Sequence, residues 1–433
     1  MKYFIYTFGC QMNKSDSERI AGFLENQNFV MVKNFKEADW VILNTCSVRQ
    51  SAEDRVFGLI KNLKKLKNRP KIAITGCMAT KNTKELKKKA DLVFEIENLH
   101  QLNNYLKKFH ISGDSLKCEK KNFTDSYFKI SPHCENNFHA YVPIATGCNN
   151  FCTYCVVPYV RGREVSRPLD EILCEIKNLL KQGYKAITLI GQNVNSYGHD
   201  FKKQPDFPKL LQKIEKIQSN FWLWFITSHP KDMSDQLIKT IAKSKKICRY
   251  IHLPTQAGDN KVLAAMNRGY TREKYLKLIA KIKKALSDAS LSTDIIVGFP
   301  GETKAQFQKT VDLFKKVKFD MAYIAEYSPR PGTAAYNLKD NVPSQEKKRR
   351  HKVLDKLLRQ IALEKNKKLI GKTLEALIEA KKGNFYFGKT KTFKTIKITN
   401  NQQLITNNQL IGQIIPVKIK KAYDFGLEGK STS

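Results

Sequence analysis

Short β-favouring runs, each followed by a stretch of helical periodicity, open the chain. Residues 2–8, 40–43 and 71–75 read as strands, and the segment after the second repeats Ala52, Val56, Leu59, Leu63 and Leu66 along one helix face. This β-α-β-α-β order predicts a small parallel α/β domain. Its first helix is expected to start at Ser15, with Glu18 three residues on completing a capping box. From His110 to about His139 the periodicity fades into Ser, Asn, Lys, Gly and Pro, as in a linker.

A second series of strands follows, at 140–146, 185–190, 221–227, 247–253, 291–297 and 321–327. Helical segments separate them, and Leu169, Ile172, Leu173, Ile176, Leu179 and Leu180 form one apolar face. Six β/α units make three-quarters of a TIM barrel. After a helix expected around 346–370, short alternating strands at 373–380, 384–390, 393–399 and 411–421 are punctuated by Gly371, Gly383 and Gly412. They predict a small antiparallel, OB-like barrel of a kind that often binds oligonucleotides. The expected fold class is α/β, with domains at 1–110, 139–369 and 370–433 and a linker at 111–138.

Charge adds a partner to this picture. Lys and Arg total 77 against 40 acidic residues, a formal net charge of +37 that suits a polyanion. Abundant Lys and Asn throughout account for part of the excess. No apolar run approaches the roughly eighteen residues of a membrane span, and no secretory signal precedes Gly9 and Cys10. A reducing cytoplasm is expected, where the ten cysteines serve as metal ligands or reactive thiols.

The densest chemistry is Gly147-Cys148-Asn149-Asn150-Phe151-Cys152-Thr153-Tyr154-Cys155, placed directly after the first strand of the second series. Active sites of TIM-like barrels assemble at that rim. Three thiolates so spaced hold three irons of a 4Fe–4S cluster and leave the fourth open. A zinc site would pair two C-x2-C units, and an electron carrier would add a fourth cysteine. Neither fits the loop alone. Cys10, Cys46 and Cys77 form a second, dispersed set. Each follows a strand of the first domain, and the carboxyl ends of parallel strands share one edge. For any single one of them a buried small residue is the ordinary reading. Cys118 and Cys134 have no usable spacing.

The loop resembles the radical-SAM signature, in which S-adenosylmethionine (SAM) chelates the open iron. Over nearly its whole length the chain resembles the methylthiotransferases, which join a cluster domain, a radical-SAM barrel and a C-terminal TRAM domain. The residues that carry this are Asn44-Thr45-Cys46-Ser47-Val48-Arg49, Gly147 to Cys155 with Arg161-Gly162-Arg163-Glu164, Thr227-Ser228-His229-Pro230, and Met266-Asn267-Arg268-Gly269-Tyr270-Thr271-Arg272. They are similar to the tRNA-modifying branch rather than to the ribosomal-protein branch. Thr255 and Ala257 depart from the Val and Ser expected of the family in a loop that faces SAM.

The resemblance implies two 4Fe–4S clusters, on Cys148, Cys152 and Cys155 and on Cys10, Cys46 and Cys77, with two SAM consumed to methylthiolate C2 of N6-isopentenyladenosine next to the anticodon in tRNA. Further SAM contacts are expected from Gly191, Gln192, Asn193, Ser228, Gln256 and Asp294, at or near strand ends. Arg161, Arg163 and Arg167 are expected to meet phosphates near the site, and the lysine-rich C-terminal barrel to grip the tRNA body. His133, His139, His199 and His351 show no ligand spacing and read as structural. The chain is expected to act as a monomer served by an electron donor and a sulfur source of unknown identity. A ribosomal-protein aspartate or a threonylcarbamoylated adenosine are alternative substrates, and a noncatalytic RNA-binding iron–sulfur protein is the reading from another class.

Overall fold

The computed structural model describes residues 1–432 except 48, 49, 82, 97, 100, 101, 103, 106–123, 203–205 and 400–409. Two units divide the chain. Met1–Glu135, Thr146–Asn149 and Cys155–Arg167 form the first; Asn136–Ala145, Asn150–Tyr154 and Pro168–Ser433 form the second.

The first unit is built on five parallel strands, β1 (Lys2–Thr7), β2 (Val30–Met31), β3 (Trp40–Thr45), β4 (Lys71–Gly76) and β5 (Leu92–Val93), in the order β2-β1-β3-β4-β5. β3 is buried at every position, so both sheet faces need cover. Alternate residues supply it. Trp40 and Ile42 point into a core with Ile20 and Leu24 of helix α1 (Gln11–Glu25), whereas Val41 and Leu43 meet Val56, Ile60 and Leu63 of helix α2 (Gln50–Lys64) on the other face. The strand order reverses between β1 and β3. The carboxyl edge at such a reversal is where ligands of these sheets bind.

Two expectations are corrected in this unit. Helix α1 starts at Gln11, with Cys10 as its N-cap, and Ser15 and Glu18 lie buried inside it. The extra turn carries the helix start to the sheet edge. Part of the expected linker is also structured: Tyr127 and Phe128, from the helix Thr124–Lys129, join the α1-side core. Arg19 donates to the Phe128 carbonyl at 3.4 Å, and the His133 amide donates to that of Glu18 at 2.8 Å. The domain end near His100, the linker start at His110, Cys118, and Val48 and Arg49 of the family motif lie outside the described residues.

The second unit opens with β6 (His139–Pro143); two short strands, β7 (Ala145–Thr146), which starts in this unit, and β8 (Val165–Ser166), which lies in the first, flank the cysteine loop in sequence. Then come β9 (Ala186–Ile190), β10 (Trp222–Phe225), β11 (Tyr250–His252), β12 (Ser290–Val297) and β13 (Met321–Glu326). β6, β9 and β10 are mutually parallel neighbours, as are β11, β12 and β13, and a parallel bridge from Leu223 to Ile247 links the two runs. Six strands in chain order make the expected partial barrel. Of the apolar helix face read from sequence, Ile172, Ile176 and Leu179 are buried in the helix Leu169–Lys181.

Five strands close the C-terminal barrel: β14 (Thr373–Lys382), β15 (Phe385–Thr390), β16 (Thr395–Thr399), β17 (Ile414–Ala422) and β18 (Leu427–Ser431), ordered β14-β15-β16-β18-β17. β18 is one strand more than the sequence pattern yields, and it pairs parallel to β16. In β17, Ile415, Val417 and Ile419 fill the barrel while Pro416, Lys418 and Lys420 face water. The β15–β16 turn seats Phe393 against Tyr250, stacked at 4.7 Å, and Trp224, edge-on at 5.6 Å. Asp320, buried just before β13, accepts from Lys365 and Lys394 and so ties this barrel to the larger one. Among the described residues no helix is long and apolar enough to cross a membrane.

Glu18 carries a stability cost in the first unit. Both carboxylate oxygens are buried, and burial, only partly opposed by Lys14 and the Glu135 backbone, raises its pKa from 4.5 to about 7. The folded state thus binds the proton more tightly than the unfolded chain, and stability falls as pH rises from 4.5 to 7. Glu18→Gln is expected to stabilise the protein by up to about 3 kcal/mol above pH 7. Urea unfolding followed at several pH values should show that gain shrinking to nothing below the unfolded pKa.

Candidate active site

Register decides where the first cysteine set lies. Thr7 pairs with Asn44, Asn44 with Thr75, and Thr45 with Gly76. Cys46 and Cys77 are the next residues of their chains, and Cys10 follows β1 as the N-cap of α1. All three reach the carboxyl edge of one sheet. Gly9, at φ +110°, lies so close to Cys46 that a Cβ there would stand 2.7 Å from that of Cys46 and 3.1 Å from its Sγ. Any larger residue would push Cys10 and Cys46 apart.

A buried polar layer fixes these strand ends from below. Asn13 Nδ2 donates to the Thr45 carbonyl at 2.8 Å, and Asn44 Nδ2 returns a bond to the Asn13 carbonyl at 2.7 Å. Asn44 also donates to Ser17 Oγ at 2.9 Å, and the Met78 amide to Thr45 Oγ1 at 3.3 Å. Cys10 Sγ sits 3.5 Å from Asn13 Oδ1. Polar groups this deep hold a geometry because each broken bond leaves an unsatisfied partner.

Arg161 overturns its sequence-based assignment to phosphate. Its guanidinium is buried, donating to Asp16 at 2.6 Å and to Asn13 Oδ1 at 3.3 Å. Burial opposes its charge, but Asp16 first, then Cys77 and Cys10, outweigh burial and hold its pKa well above the usual arginine value. A fixed cation therefore stands beside two of the three thiols. Arg167 is also buried, donating to the Phe128 carbonyl at 3.1 Å with its guanidinium over the Phe128 ring. Only Arg163 of the three is exposed. The apolar neighbours of Cys77 are Val156 and Val160.

In the loop from Gly147 to Cys155, Cys148 and Cys155 belong to the first unit and Cys152 to the second. The Cys148 amide donates to the Gly162 carbonyl at 3.2 Å, and the Glu164 amide to Asn149 Oδ1 at 3.2 Å. Within the second unit the segment 266–268 cradles the loop. The Thr153 amide donates to the Met266 carbonyl at 3.2 Å, and Asn267 Nδ2 to the Phe151 carbonyl at 3.0 Å, where Phe151 takes a left-handed φ of +45°. Arg268 Nη1 lies 3.2 Å from Cys152 Sγ, and its Nη2 donates to the Pro254 carbonyl at 2.7 Å. Burial is again offset, by Tyr154, Tyr270 and Cys152. Cys152 thus has a buried arginine beside it, as Cys10 and Cys77 do, which spacing alone does not reveal.

Among the described residues no three His, Cys, Asp or Glu side chains group around a single metal ion. A four-iron cluster sets a different demand, one thiolate per iron at separate corners. The described cysteines form no disulfide with one another. Reduced thiols beside fixed cations fit an anionic cluster in each place.

The residues expected to contact SAM divide into two groups. Gln192, Asn193 and Ser228 lie in loops that leave β9 and β10, joined by bonds from the Val194 amide to the Thr227 carbonyl at 2.9 Å and from the His229 amide to Asn195 Oδ1 at 2.8 Å. Gln192 Oε1, Asn193 Oδ1, Ser228 Oγ and His229 Nε2 are buried there with no hydrogen-bond partner. Asn193 Nδ2 donates to Asp232 at 2.7 Å, which fixes its Oδ1 as the acceptor left over. His229 Nδ1 accepts from the Lys231 amide at 3.2 Å, and burial, Arg268 and Lys231 lower its pKa to about 2. Neutral His229 then offers Nε2–H as a donor. Two acceptors and two donors suit an amino acid's amino group and carboxylate. His229 went unassigned in the sequence, although its motif was noted.

Gln256 and Asp294 are placed differently. Gln256 is locked at φ +73° by backbone bonds to Asp294 at 2.9 Å and from Ile296 at 3.0 Å. Asp294 lies within β12, with His252 Nε2 3.5 Å away. The departures from the family pattern are satisfied locally: Thr255 Oγ1 donates to the Ala257 carbonyl at 3.0 Å. A side chain at Gly191 would meet only ordinary contacts, the nearest at 3.4 Å, so its backbone does not demand glycine.

Asp16→Asn is expected to leave the Arg161 charge buried and uncompensated, at a cost of about 3–5 kcal/mol. In urea unfolding, the double variant Asp16→Asn with Arg161→Met should lose clearly less than the sum of the single variants. Additive losses would show that the two side chains are not coupled.

A family model described as the Radical SAM superfamily matches residues 142–314, and one described as uncharacterized protein family UPF0004 matches residues 2–96. Among solved structures, the radical S-adenosylmethionine methyltransferase TsrM from Kitasatospora setae, with cobalamin and a 4Fe–4S cluster bound, shares the fold at TM-score 0.55 and 14% identity, covering 77% of this chain and 76% of that one. The protein named tRNA-2-methylthio-N(6)-dimethylallyladenosine synthase in Carboxydothermus hydrogenoformans is 44% identical over 99% of this chain and 98% of its own length. One of the same name in Clostridium botulinum is 43% identical over 99% and 96%. The chain belongs to this family of radical-SAM methylthiotransferases, the tRNA-2-methylthio-N(6)-dimethylallyladenosine synthases.

Proposed function

We propose that this protein installs a methylthio group at C2 of N6-isopentenyladenosine next to the anticodon of tRNA, with one 4Fe–4S cluster on Cys148, Cys152 and Cys155 and a second on Cys10, Cys46 and Cys77. The observation that carries the reading is the near-full-length likeness to the synthases of that name, joined to three cysteines delivered to one sheet edge by strand register. When bound, the clusters and SAM supply radical chemistry for an adenine C2–H that is neither acidic nor electrophilic enough for acid–base catalysis.

The chain's own residues have distinct tasks in this proposal. Arg161 and Arg268 offset the negative charge of the cysteine sets. Gln192 Oε1 and Asn193 Oδ1 accept from the SAM amino group, while His229 Nε2–H and Ser228 Oγ–H donate to its carboxylate. Lys372, Lys381, Lys382, Lys418 and Lys420, all exposed on the C-terminal barrel, attract the tRNA backbone in a salt-dependent way.

Mass spectrometry of tRNA nucleosides from cells with and without the gene tests the substrate. Deletion should remove 2-methylthio-N6-isopentenyladenosine and accumulate N6-isopentenyladenosine. Complementation with either Cys10→Ala or Cys148→Ala should leave that loss in place. An unchanged nucleoside profile in the deletion would overturn the proposed substrate.

A further inference from the structure

The inner face of the last three barrel strands is polar, aromatic and partly open. Register places Tyr250, His252, Ser292, Asp294 and Tyr323 on it: His252 pairs with Ser292, and Asp294 with Tyr323. Inward positions of a TIM barrel are ordinarily packed with branched apolar side chains. Here they are hydrogen-bonded instead. Ser292 Oγ donates to the Tyr250 hydroxyl at 2.8 Å, His252 Nδ1 lies 2.8 Å from Ser292 Oγ, and His252 Nε2 lies 3.5 Å from Asp294. The chain of bonds fixes the imidazole, which meets the Tyr323 ring edge to face at 5.9 Å.

Tyr323 itself is 46% exposed, on the last strand, where a six-strand barrel stays open. A large ring held beside a fixed imidazole and left half uncovered offers a π-face to a planar guest. Bases displaced from a nucleic-acid stack bind in this way, on aromatic side chains with polar groups at their edges.

We infer that Tyr323, positioned by His252, is the stacking surface for the target adenine of the RNA. This rests on the tRNA reading proposed above. The adenine of SAM is the competing guest, but the buried, unpartnered polar atoms suited to SAM lie after β9 and β10. Tyr323 is on β13, at the far end of the strand order.

The test compares two synthetic anticodon stem-loops, one carrying N6-isopentenyladenosine at the target position and one abasic there, bound anaerobically to the reconstituted full-length enzyme. Wild type should prefer the intact loop by about tenfold, the scale of one base stacked on an aromatic ring. Tyr323→Ala should bind both loops equally, Tyr323→Phe should keep the preference, and SAM affinity by calorimetry should be unchanged in both. A preference that survives in Tyr323→Ala, a wild type indifferent to the missing base, or a Tyr323→Ala that loses SAM instead would each overturn the inference. Turnover of the intact loop by wild type is read in parallel. Its absence would count against the tRNA reading; its presence with any of those three results counts against Tyr323 alone.

Discussion

A guanidinium closed off from water requires a compensating charge, and in the first unit Arg161 finds it in Asp16 at 2.6 Å. Much of the site's local order follows from that pair. Asp16 also accepts from the Tyr127 hydroxyl, so the helix Thr124–Lys129 is drawn onto α1. Asn13, one turn before, joins Arg161 to the end of β3. Cys10 and Cys77 stand within the field of the same cation. The arrangement holds thiols ready without the thiols having to hold themselves.

The second unit solves the same problem with Arg268. Its fork spans Cys152 Sγ and the Pro254 carbonyl, while Asn267 fixes the backbone of Phe151. The C-terminal barrel packs against β10 and β11 of the same unit. Phe393 fills the space between Trp224 and Tyr250, and Asp320 gathers Lys365 from the long helix and Lys394 from the barrel turn. A domain with a basic outer face is thereby anchored to the catalytic barrel by its apolar tip.

Spacing made the cysteine loop readable, because local ligands need no knowledge of the fold. The dispersed set became readable through strand periodicity, since β3 and β4 end one residue before Cys46 and Cys77. Arginines were misread for the opposite reason. Charge in a sequence carries no burial, and nothing local marks Arg161 as the partner of a residue 145 positions away. The capping box at Ser15 failed because tertiary packing extended α1 to Cys10. His229 was invisible as a donor until its backbone partner and its buried, cationic surroundings were known. β18 was missed because Glu428 and Lys430 interrupt an already short run.

The proposal at the core of this account is that the two separate cysteine sets each hold a cluster. Iron and sulfide counts with Mössbauer spectra, on anaerobically reconstituted protein, address it directly. Wild type should hold about eight irons and eight sulfides per chain, and the triple variants Cys10→Ala, Cys46→Ala, Cys77→Ala and Cys148→Ala, Cys152→Ala, Cys155→Ala about four of each. A single cluster in wild type, indifferent to loss of Cys10, Cys46 and Cys77, would contradict it.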